Sequence, residues 1–579
     1  MSPARHWLAF VALGVVTEAS ATLQVELEGV DGDERKNVEA FLTIQRERDE
    51  QDLGEGRIRR LHERAPEEIR EALAPFGRYR VQVEGELAGP QDGVWRAHYR
   101  IDPGPPVAIG TVDVRIVGEG GADAGVPTVE LAPGQPFTHA AWEAAKGALK
   151  RYAREQGYLD ARLTEAQVDV DPEANRADVR LHMDTGPRFY FGDIRFVQGE
   201  GQDFEPAFLQ RFVDVAPGTP FTDEALLGLQ GALMNTDYFS QVEIQPRPDE
   251  VADHRLPVEV RVERNPPNRY RIGVGYATDT GPRMIFDWTR RYLGREGHSA
   301  DAQLLVSPAI QRLEAGYRIP LGDPRREYAS LRANIEHYDT DARKGSVATV
   351  RADHNGLDGN WQRILAVDYE YEKPDDAGTT ESASEYYNLI PNATWIWKRL
   401  DDPIYTRNGA RVDLKLLGAY EGLLSSSTFL QGYVRAKAIH SPAEAWRLIA
   451  RGEVGATWAD SVFDIPPSRR FYAGGDNSVR GWAYEDLSPE DAEGEKIGGR
   501  NVLTASLEAE RHVTGKWWAA AFVDAGNAFD DWGDPGIVSS AGVGVRWLTP
   551  VGPLRLDVAV PLDDAPDSFR IHLVFGPDL

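Results

Sequence analysis

Apolar and polar residues alternate along the second half of the chain, and this pattern constrains the fold more than any other. Alternating segments of about 8–12 residues recur from Asn265 onward, separated by Gly, Asp, Asn and Pro. We count about sixteen of them, each taking roughly twenty residues with its loop, as the strands of a membrane barrel do. The pattern predicts a 16-stranded antiparallel transmembrane β-barrel over residues 266–579. A large soluble β-sandwich or β-propeller also alternates, and this alternative stays open at this point.

The composition fits a barrel better than a bundle of membrane helices. The 579 residues are 41% hydrophobic with a mean hydropathy of −0.44, and repeated apolar runs of about 20 residues are missing. A barrel needs apolar side chains only at alternate positions. The net charge of −28 argues against a nucleic-acid partner, because binding phosphates requires a basic surface. Without cysteine, the chain has no disulfide, thiolate metal site or thiol nucleophile.

The N-terminus has the order of a secretory signal peptide. Arg and His at 5–6 precede an apolar run at 7–16, and the small residues Ala-Ser-Ala follow at 19–21. The apolar run is about half as long as a membrane-spanning helix. We therefore predict a signal peptide over 1–21 and export to a Gram-negative periplasm or outer membrane. A buried N-terminal helix is the alternative.

The first half of the chain contains an internal repeat. Gly-Pro opens similar alternating segments at 104–110 and 186–192, and Pro-Gly-x-Pro-Phe-Thr occurs at 133–138 and 217–222. The spacing gives a period of about 80 residues. A helical pattern follows each Pro-Phe-Thr, so the threonine of each copy is a predicted N-cap. Two alternating segments end each copy.

Each repeat therefore predicts one α+β unit in the order strand, helix, helix, strand, strand. A weaker copy precedes the two clear ones, with helices expected over 35–50 and 57–75. We divide the exported part of this half into three domains of similar length. Their predicted bounds are 22–103, 104–187 and 188–265.

This βααββ pattern, three times in tandem after a signal peptide, resembles the polypeptide-transport-associated (POTRA) domain. Gly157-Tyr158 and Tyr238-Phe239 match the turn of that family before its second strand. The resemblance implies periplasmic domains that dock client chains by adding a strand to a sheet edge. An edge strand can do so because its N–H and C=O groups are unpaired.

The segment 469–489 is too rich in Gly, Asn and Asp for a strand and too long for a tight turn, which favours a functional loop. It contains Val479-Arg480-Gly481-Trp482. This tetrapeptide resembles the Val-Arg-Gly-Phe/Tyr motif on the lumen-entering loop of POTRA-bearing outer-membrane insertases and transporters.

A second motif, at 522–527, resembles a strand of that superfamily and contains Asp524 and Gly526. An arginine deep inside a barrel needs a carboxylate partner, and a bidentate pair also fixes the position of a loop. We predict that Arg480 pairs with Asp524. Taken singly, Arg480 is equally compatible with a solvated loop cation and Asp524 with a turn residue.

Within this superfamily, the sequence Phe-Tyr-Ala-Gly-Gly-Asp-Asn-Ser-Val-Arg-Gly at 471–481 and the terminal Gly-Pro-Asp-Leu resemble the translocation and assembly module (TamA) family. Three POTRA domains also fit that family, since the general insertases carry five and the two-partner secretion transporters two. The resemblance implies a TamB-like, inner-membrane-anchored partner that spans the periplasm. It also implies contact with unfolded outer-membrane protein or autotransporter clients and with outer-membrane lipids.

In this superfamily the first and last barrel strands are thought to pair poorly and to form a lateral gate. Here those strands are expected at Arg269–Ala277 and Phe569–Phe575. Gly273, Gly275 and the following Pro577 would weaken such a seam, since Pro removes a ladder donor and Gly lowers strand preference.

The expected function is thus assembly or secretion of barrel clients at the outer membrane. Lipid transport with the same partner, a passive porin and a two-partner secretion channel are the alternatives. No enzyme motif is present: a Gly-x-Ser-x-Gly elbow and a phosphate-binding loop are both missing, and the histidines lack metal spacing. Asp31-Gly32-Asp33 lacks the rest of a calcium loop and is interpreted as a solvated turn. We expect no catalytic residue, cofactor or metal.

Overall fold

The computed structural model describes residues 22–50, 53–91, 94–123, 127–199, 201, 204–216, 218–375, 385–550 and 552–575. The predicted signal peptide and the terminal Gly-Pro-Asp-Leu lie outside these residues. Among the described helices, none combines the length and the apolar character needed to cross a membrane.

The first repeat places its helices against one face of a three-stranded sheet of order β1-β3-β2, with β1 parallel to β3. The helix expected over 35–50 is wrong as a single element, because the extended backbone at Leu42 divides it. The buried face of the longest helix carries Ile58, Leu61 and Ile69. The elements are β1 (Thr22–Glu28), α1 (Gly32–Phe41), α2 (Thr43–Arg46), α3 (Glu55–Leu73), β2 (Gln82–Gln91) and β3 (Val94–Asp102).

The second and third repeats build the same sheet, with the last strand in the middle. Thr138 and Thr222 accept hydrogen bonds from the N–H groups of Ala141 and Ala225, as expected of N-caps. In the described part of the second repeat, a 3₁₀ turn at Glu119–Ala122 stands where the first helix was expected. The elements are β4 (Ala108–Val117), α4 (His139–Glu155), β5 (Arg162–Asp171), β6 (Arg176–Asp184), β7 (Tyr190–Gln198), α5 (Pro206–Gln210), α6 (Asp223–Met234), β8 (Phe239–Pro246) and β9 (Arg255–Arg264).

From residue 268 onward, the described residues form one sheet of sixteen strands, each antiparallel to the next, in strict sequence order. The sheet curls into a nearly closed barrel, and the predicted fold class is confirmed. Its strands are β10 (Asn268–Ala277), β11 (Gly281–Leu293), β12 (His298–Val306), β13 (Ile310–Pro320), β14 (Glu327–Asp339), β15 (Lys344–Asp358), β16 (Trp361–Pro374), β17 (Tyr386–Leu400), β18 (Gly409–Ala419), β19 (Phe429–Ala443), β20 (Trp446–Trp458), β21 (Asn501–Thr514), β22 (Trp517–Phe529), β23 (Val538–Thr549), β24 (Gly552–Pro561) and β25 (Arg570–Phe575).

The barrel wall is apolar outside and polar inside. On β16 the exposed positions include Leu365 and Val367, whereas Asp368, Glu370 and Glu372 are buried. Strand residues alternate between two faces, so the outer face meets lipid and the inner face lines the lumen. Because only the outward-facing half of each strand is apolar, a chain embedded in the membrane in this way can have a low mean hydropathy.

The chain divides by its contacts into two compact units, and the barrel belongs to the second, together with residues 195–214 and 229–245. Within this unit, aromatic rings pack the segment around α5 against the turn between β11 and β12. Phe208 lies against Gly297, whose carbonyl also accepts a 2.6 Å hydrogen bond from the Tyr238 hydroxyl. The N–H of Glu205 donates to the carbonyl of Arg295 at 2.9 Å. These contacts attach the segment 195–214 to the base of the barrel.

Candidate functional site

The long connection between β20 and β21, residues 459–500, folds into the barrel interior, and we call it the lumen loop. Five of its side chains form an apolar cluster with the wall. Gly481 has a φ of +97°, and a Cβ there would approach Ser540 and Pro561 of the wall, which favours glycine. The buried cluster contains Ala473, Val479, Trp482 and Leu487 of the loop with Val502 and Ala528, and the partly buried Phe471 packs against it.

Arg480 reaches Asp524 on β22, and the pair is almost fully buried. Its Nε donates to Asp524 Oδ2 at 2.8 Å and one terminal nitrogen donates to Oδ1 at 3.0 Å. The backbone N–H of Arg480 also donates to Oδ2, at 3.1 Å. A bidentate bond with a third bond from the main chain fixes both the direction of the side chain and the height of the loop.

The wall around this pair is densely charged. Arg480 also donates to Glu508 on β21 at 2.8 Å and to Asp557 on β24 at 3.2 Å. Arg546 on β23 bonds the same two carboxylates from the other side. In the described residues this lumen network includes arginines and carboxylates from the loop and from strands β20 to β24: Arg447, Arg451, Arg480, Arg546, Glu508, Glu510, Asp524 and Asp557.

Phe522 and Gly526, two other residues of the strand motif, shape the site that Arg480 occupies. The centroid of the Phe522 ring lies 3.3 Å from the Arg480 guanidinium carbon, which is a cation–π contact. A Cβ on Gly526 would lie 2.5 Å from the Leu503 carbonyl, so glycine lets β22 approach β21 closely at this point.

Further anchors hold the loop to the barrel wall away from β22. Ser468 bonds Glu372 on β16, and Arg469 bonds the neighbouring Glu370. Glu485 accepts from Arg343, in the turn between β14 and β15, at 2.9 Å. Since β16 and β22 are six strands apart in the sheet, the loop crosses the lumen.

The strands of the expected gate, β10 and β25, are the two ends of the sixteen-stranded order. In the described residues no ladder joins them. β10 spans ten residues, and the described part of β25 spans six. Phe569 precedes β25 instead of belonging to it, because the chain is still in the loop after β24, whereas Phe575 is its last described residue. Gly273 and Gly275 occupy alternate positions of β10.

We call the boundary between β10 and β25 the seam. At the far end of the seam, where β10 ends and β25 begins, a cluster of residues connects both terminal strands to the lumen loop. Thr278, after β10, donates to Asp476 Oδ1 at 2.9 Å and accepts from the N–H of Leu573 at 3.2 Å. His572 Nδ1 lies 2.6 Å from Asp476 Oδ1. The N–H of Gly481 donates to His572 Nε2 at 3.0 Å.

Asp279, in the turn between β10 and β11, completes the cluster by accepting a 2.7 Å bond from the N–H of Asp476. Burial and then the Asp476 carboxylate raise the pKa of Asp279 to about 7. Ligand atoms of Asp279, Asp476 and His572 lie within 4.8 Å of one another, a spacing that metal ions use. Both ring nitrogens of His572 have protein partners, however, so the geometry favours a hydrogen-bonded cluster.

The structure brings together Arg480 and Asp524, with Val479, Gly481, Trp482 and Gly526 beside them. Sequence reasoning missed the other members of the lumen network and the whole seam cluster. Alternation assigns Glu508 and Asp557 to the inner face, but only the strand register makes them neighbours. Asp476 and His572 are 96 positions apart, so no local motif links them.

Comparison with known proteins identifies the two halves of the chain. Residues 267–578 match the Omp85 superfamily domain. Residues 24–103 match the POTRA domain described as TamA domain 1. Residues 126–186 and 189–264 match the POTRA family described as surface antigen variable number repeat.

Individual relatives share the barrel and some of the repeats. Outer membrane protein assembly factor BamA of Nitratidesulfovibrio vulgaris is 25% identical over 437 residues, which are 72% of this chain and 54% of that protein. The chain thus spans about half the length of this curated relative. The structure of Haemophilus ducreyi BamA lacking POTRA domains 1–3 is 18% identical, covers 81% of this chain and 99% of its own, and has a TM-score of 0.67. CdiB of Escherichia coli is 14% identical, with a TM-score of 0.45 over 81% and 90% of the two chains.

The superfamily match extends over more than half of the chain and coincides with the sixteen strands and the lumen loop. The protein belongs to the Omp85 superfamily, as a barrel preceded by POTRA domains.

Proposed function

We propose that this protein is a non-enzymatic assembly factor of the outer membrane that helps insert or secrete β-barrel clients such as autotransporters. The barrel lies in the outer membrane and the POTRA domains in the periplasm, as in its superfamily. The observation that carries the proposal is the seam: β10 and β25 end the sheet without a ladder between them in the described residues.

A terminal strand that is unpaired along one edge can act as a template on which a client strand pairs. Unpaired N–H and C=O groups that face hydrocarbon cost several kcal/mol each, so a client strand that pairs with them is strongly favoured. The outward side chains Ile272 and Val274 of β10 are highly exposed. We therefore assign the templating edge to β10, with Gly273 and Gly275 keeping it weakly structured.

The periplasmic domains would bring clients and a partner to this edge. The match of residues 24–103 to the first TamA domain supports a TamA-type protein over a general insertase. We propose a TamB-like, inner-membrane-anchored protein as the partner of the POTRA domains. Their outer strands, such as β2 and β5, are sheet edges on which an added strand can pair.

The lumen loop speaks against a passive porin or secretion channel, because it crosses the lumen from β16 to β22 on buried ion pairs. Lipid transport with the same partner uses the same seam. The test therefore needs one readout for proteins and one for lipids.

The experiment reconstitutes the full chain in liposomes and adds a urea-denatured autotransporter barrel. We expect faster acquisition of heat-modifiable, protease-resistant client than in empty liposomes. Equal rates with and without the protein would overturn the proposal. Transfer of a fluorescent phospholipid without client folding would favour lipid transport, and large steady single-channel currents would favour a porin.

A further inference from the structure

We infer that Thr278, Asp476 and His572 form a latch that holds the two terminal strands together through the lumen loop. This inference deepens the proposed function, because it assigns positioning residues to the gate on which that function rests. The bonds run in a circuit from β25 to the lumen loop, to the end of β10 and back to β25.

The strand directions explain why these residues meet. β10 and β20 run the same way, since ten antiparallel steps separate them. The turn after β10 and the lumen loop after β20 therefore start at the same end of the barrel. β25 runs the opposite way and begins at that end, so His572 and Leu573 arrive beside the turn.

The hydrogen bonds define the proton positions on His572. Gly481 can only donate through its main-chain N–H, so Nε2 accepts and carries no proton. Nδ1 of the neutral ring therefore carries the proton and donates to Asp476 Oδ1. The same oxygen accepts from the Thr278 hydroxyl. Asp476 Oδ1 thus accepts from a donor on β25 and from a donor in the turn after β10.

Burial makes this circuit specific. His572 and Asp476 are buried, with 2% and 6% of their surfaces exposed. A buried polar group that loses its partner leaves the other group unsatisfied, which costs more than the bond itself contributed. No β-ladder joins β10 and β25 in the described residues. The hydrogen bonds of this circuit therefore account for a large part of the polar contacts across the far end of the seam.

The latch also links the seam to the anchor of the lumen loop. Gly481, which bonds His572, directly follows Arg480, which bonds Asp524. A displacement that lifts Arg480 from its network also removes Gly481 from His572. Movement of the lumen loop therefore releases the latch, so a client that enters the lumen and displaces the loop can open the seam.

The test measures the seam in the protein alone, without a client. Because the chain has no cysteine, Pro282→Cys and Ser568→Cys introduce the only two thiols, at exposed sites on either side of the seam. Spin labels on these cysteines report the distance across the seam in lipid nanodiscs by pulsed electron resonance. Thr278→Val removes the hydroxyl at nearly constant shape, and Thr278→Ser is the matched control that keeps it.

We expect Thr278→Val to raise the ratio of open to closed distances by roughly fivefold for each hydrogen bond lost, and Thr278→Ser to restore the native distribution. His572→Leu should open the seam in the same way, whereas His572→Asn, which can still donate to Asp476, should have a smaller effect. Protease resistance of the lumen loop should persist in Thr278→Val, because the Arg480 anchor is untouched.

Unchanged distances in both Thr278→Val and His572→Leu would overturn the latch. If His572→Leu does not fold, the Thr278 pair still decides, since that side chain is exposed. Open seams with unaltered client insertion would leave the latch established and overturn the gate in the proposed function. The two failures are therefore distinguishable.

Discussion

Asp524 receives three hydrogen bonds from Arg480, two from the guanidinium and one from the main-chain N–H. The side chain and the main chain of Arg480 are thus both held by a single carboxylate on β22. Removing one member of a buried ion pair leaves an uncompensated charge and costs about 3–5 kcal/mol.

The first prediction follows from this pair. Arg480→Ala should leave a folded barrel whose lumen loop is loosened around residue 480, because Asp524, Glu508 and Asp557 then share one cation fewer. Arg480→Lys should be intermediate, since a point charge cannot form the bidentate bond. Limited proteolysis of the loop and client insertion measure the two effects. Wild-type values in both for Arg480→Ala would contradict a role for the pair.

A locked seam should block client insertion. Thr278→Cys with Leu573→Cys places one thiol at the end of β10 and one on β25, where the main-chain N–H of Leu573 donates to the Thr278 hydroxyl at 3.2 Å. Oxidation should abolish insertion and reduction should restore it. Cysteines at Leu313 and Ile335, which face each other on β13 and β14, are the matched control pair. Full insertion by the oxidised seam variant would argue against a lateral gate.

The folded protein should be more stable to unfolding at acidic than at neutral pH. Asp279 has a pKa of about 7, above its ordinary 3.8, so the folded protein binds more protons than the unfolded chain between these values. The free energy of unfolding should therefore fall as the pH rises from about 4 to about 7. Asp476, His572 and Tyr484 face this carboxyl group. Asp279→Asn should lose this component of the pH slope in urea titrations, and an identical slope in both proteins would refute the assignment.

Gly297→Ala should detach the segment 195–214 from the base of the barrel. A Cβ there would lie 2.1 Å from the Phe208 ring. Gly294 is the matched control, because its φ of +70° is close to the +75° of Gly297 but a Cβ on it meets nothing within 4 Å. Overpacking costs about 1–3 kcal/mol, so hydrogen exchange at 204–212 should rise only in Gly297→Ala. Equal exchange in the two variants would show that the contact is dispensable.

The fold was predictable because it depends on local periodicity. Alternation gave the number of barrel strands, and the repeated Pro-Phe-Thr gave the helix caps at Thr138 and Thr222. The extended backbone at Leu42 was missed, because the helical pattern continues on both sides of it.

The candidate site was predictable only where motifs contain its residues. Arg480 and Asp524 stand in two recognisable motifs, although the structure was needed to bring them into contact. Arg546 and Glu510 look like any other inner-face charges until the register makes them neighbours. His572 was passed over because its partners, Asp476 and Gly481, lie on a distant loop.

The hydrogen bond between Leu573 and Thr278 joins residues 295 positions apart. The entropy lost in closing a loop grows with its length, and contacts between distant residues form slowly. We therefore expect the seam to form last when the chain itself folds. Until β25 is synthesised and docked, β10 has only one neighbour, so the unfinished protein has the same open edge that the mature protein offers to its clients.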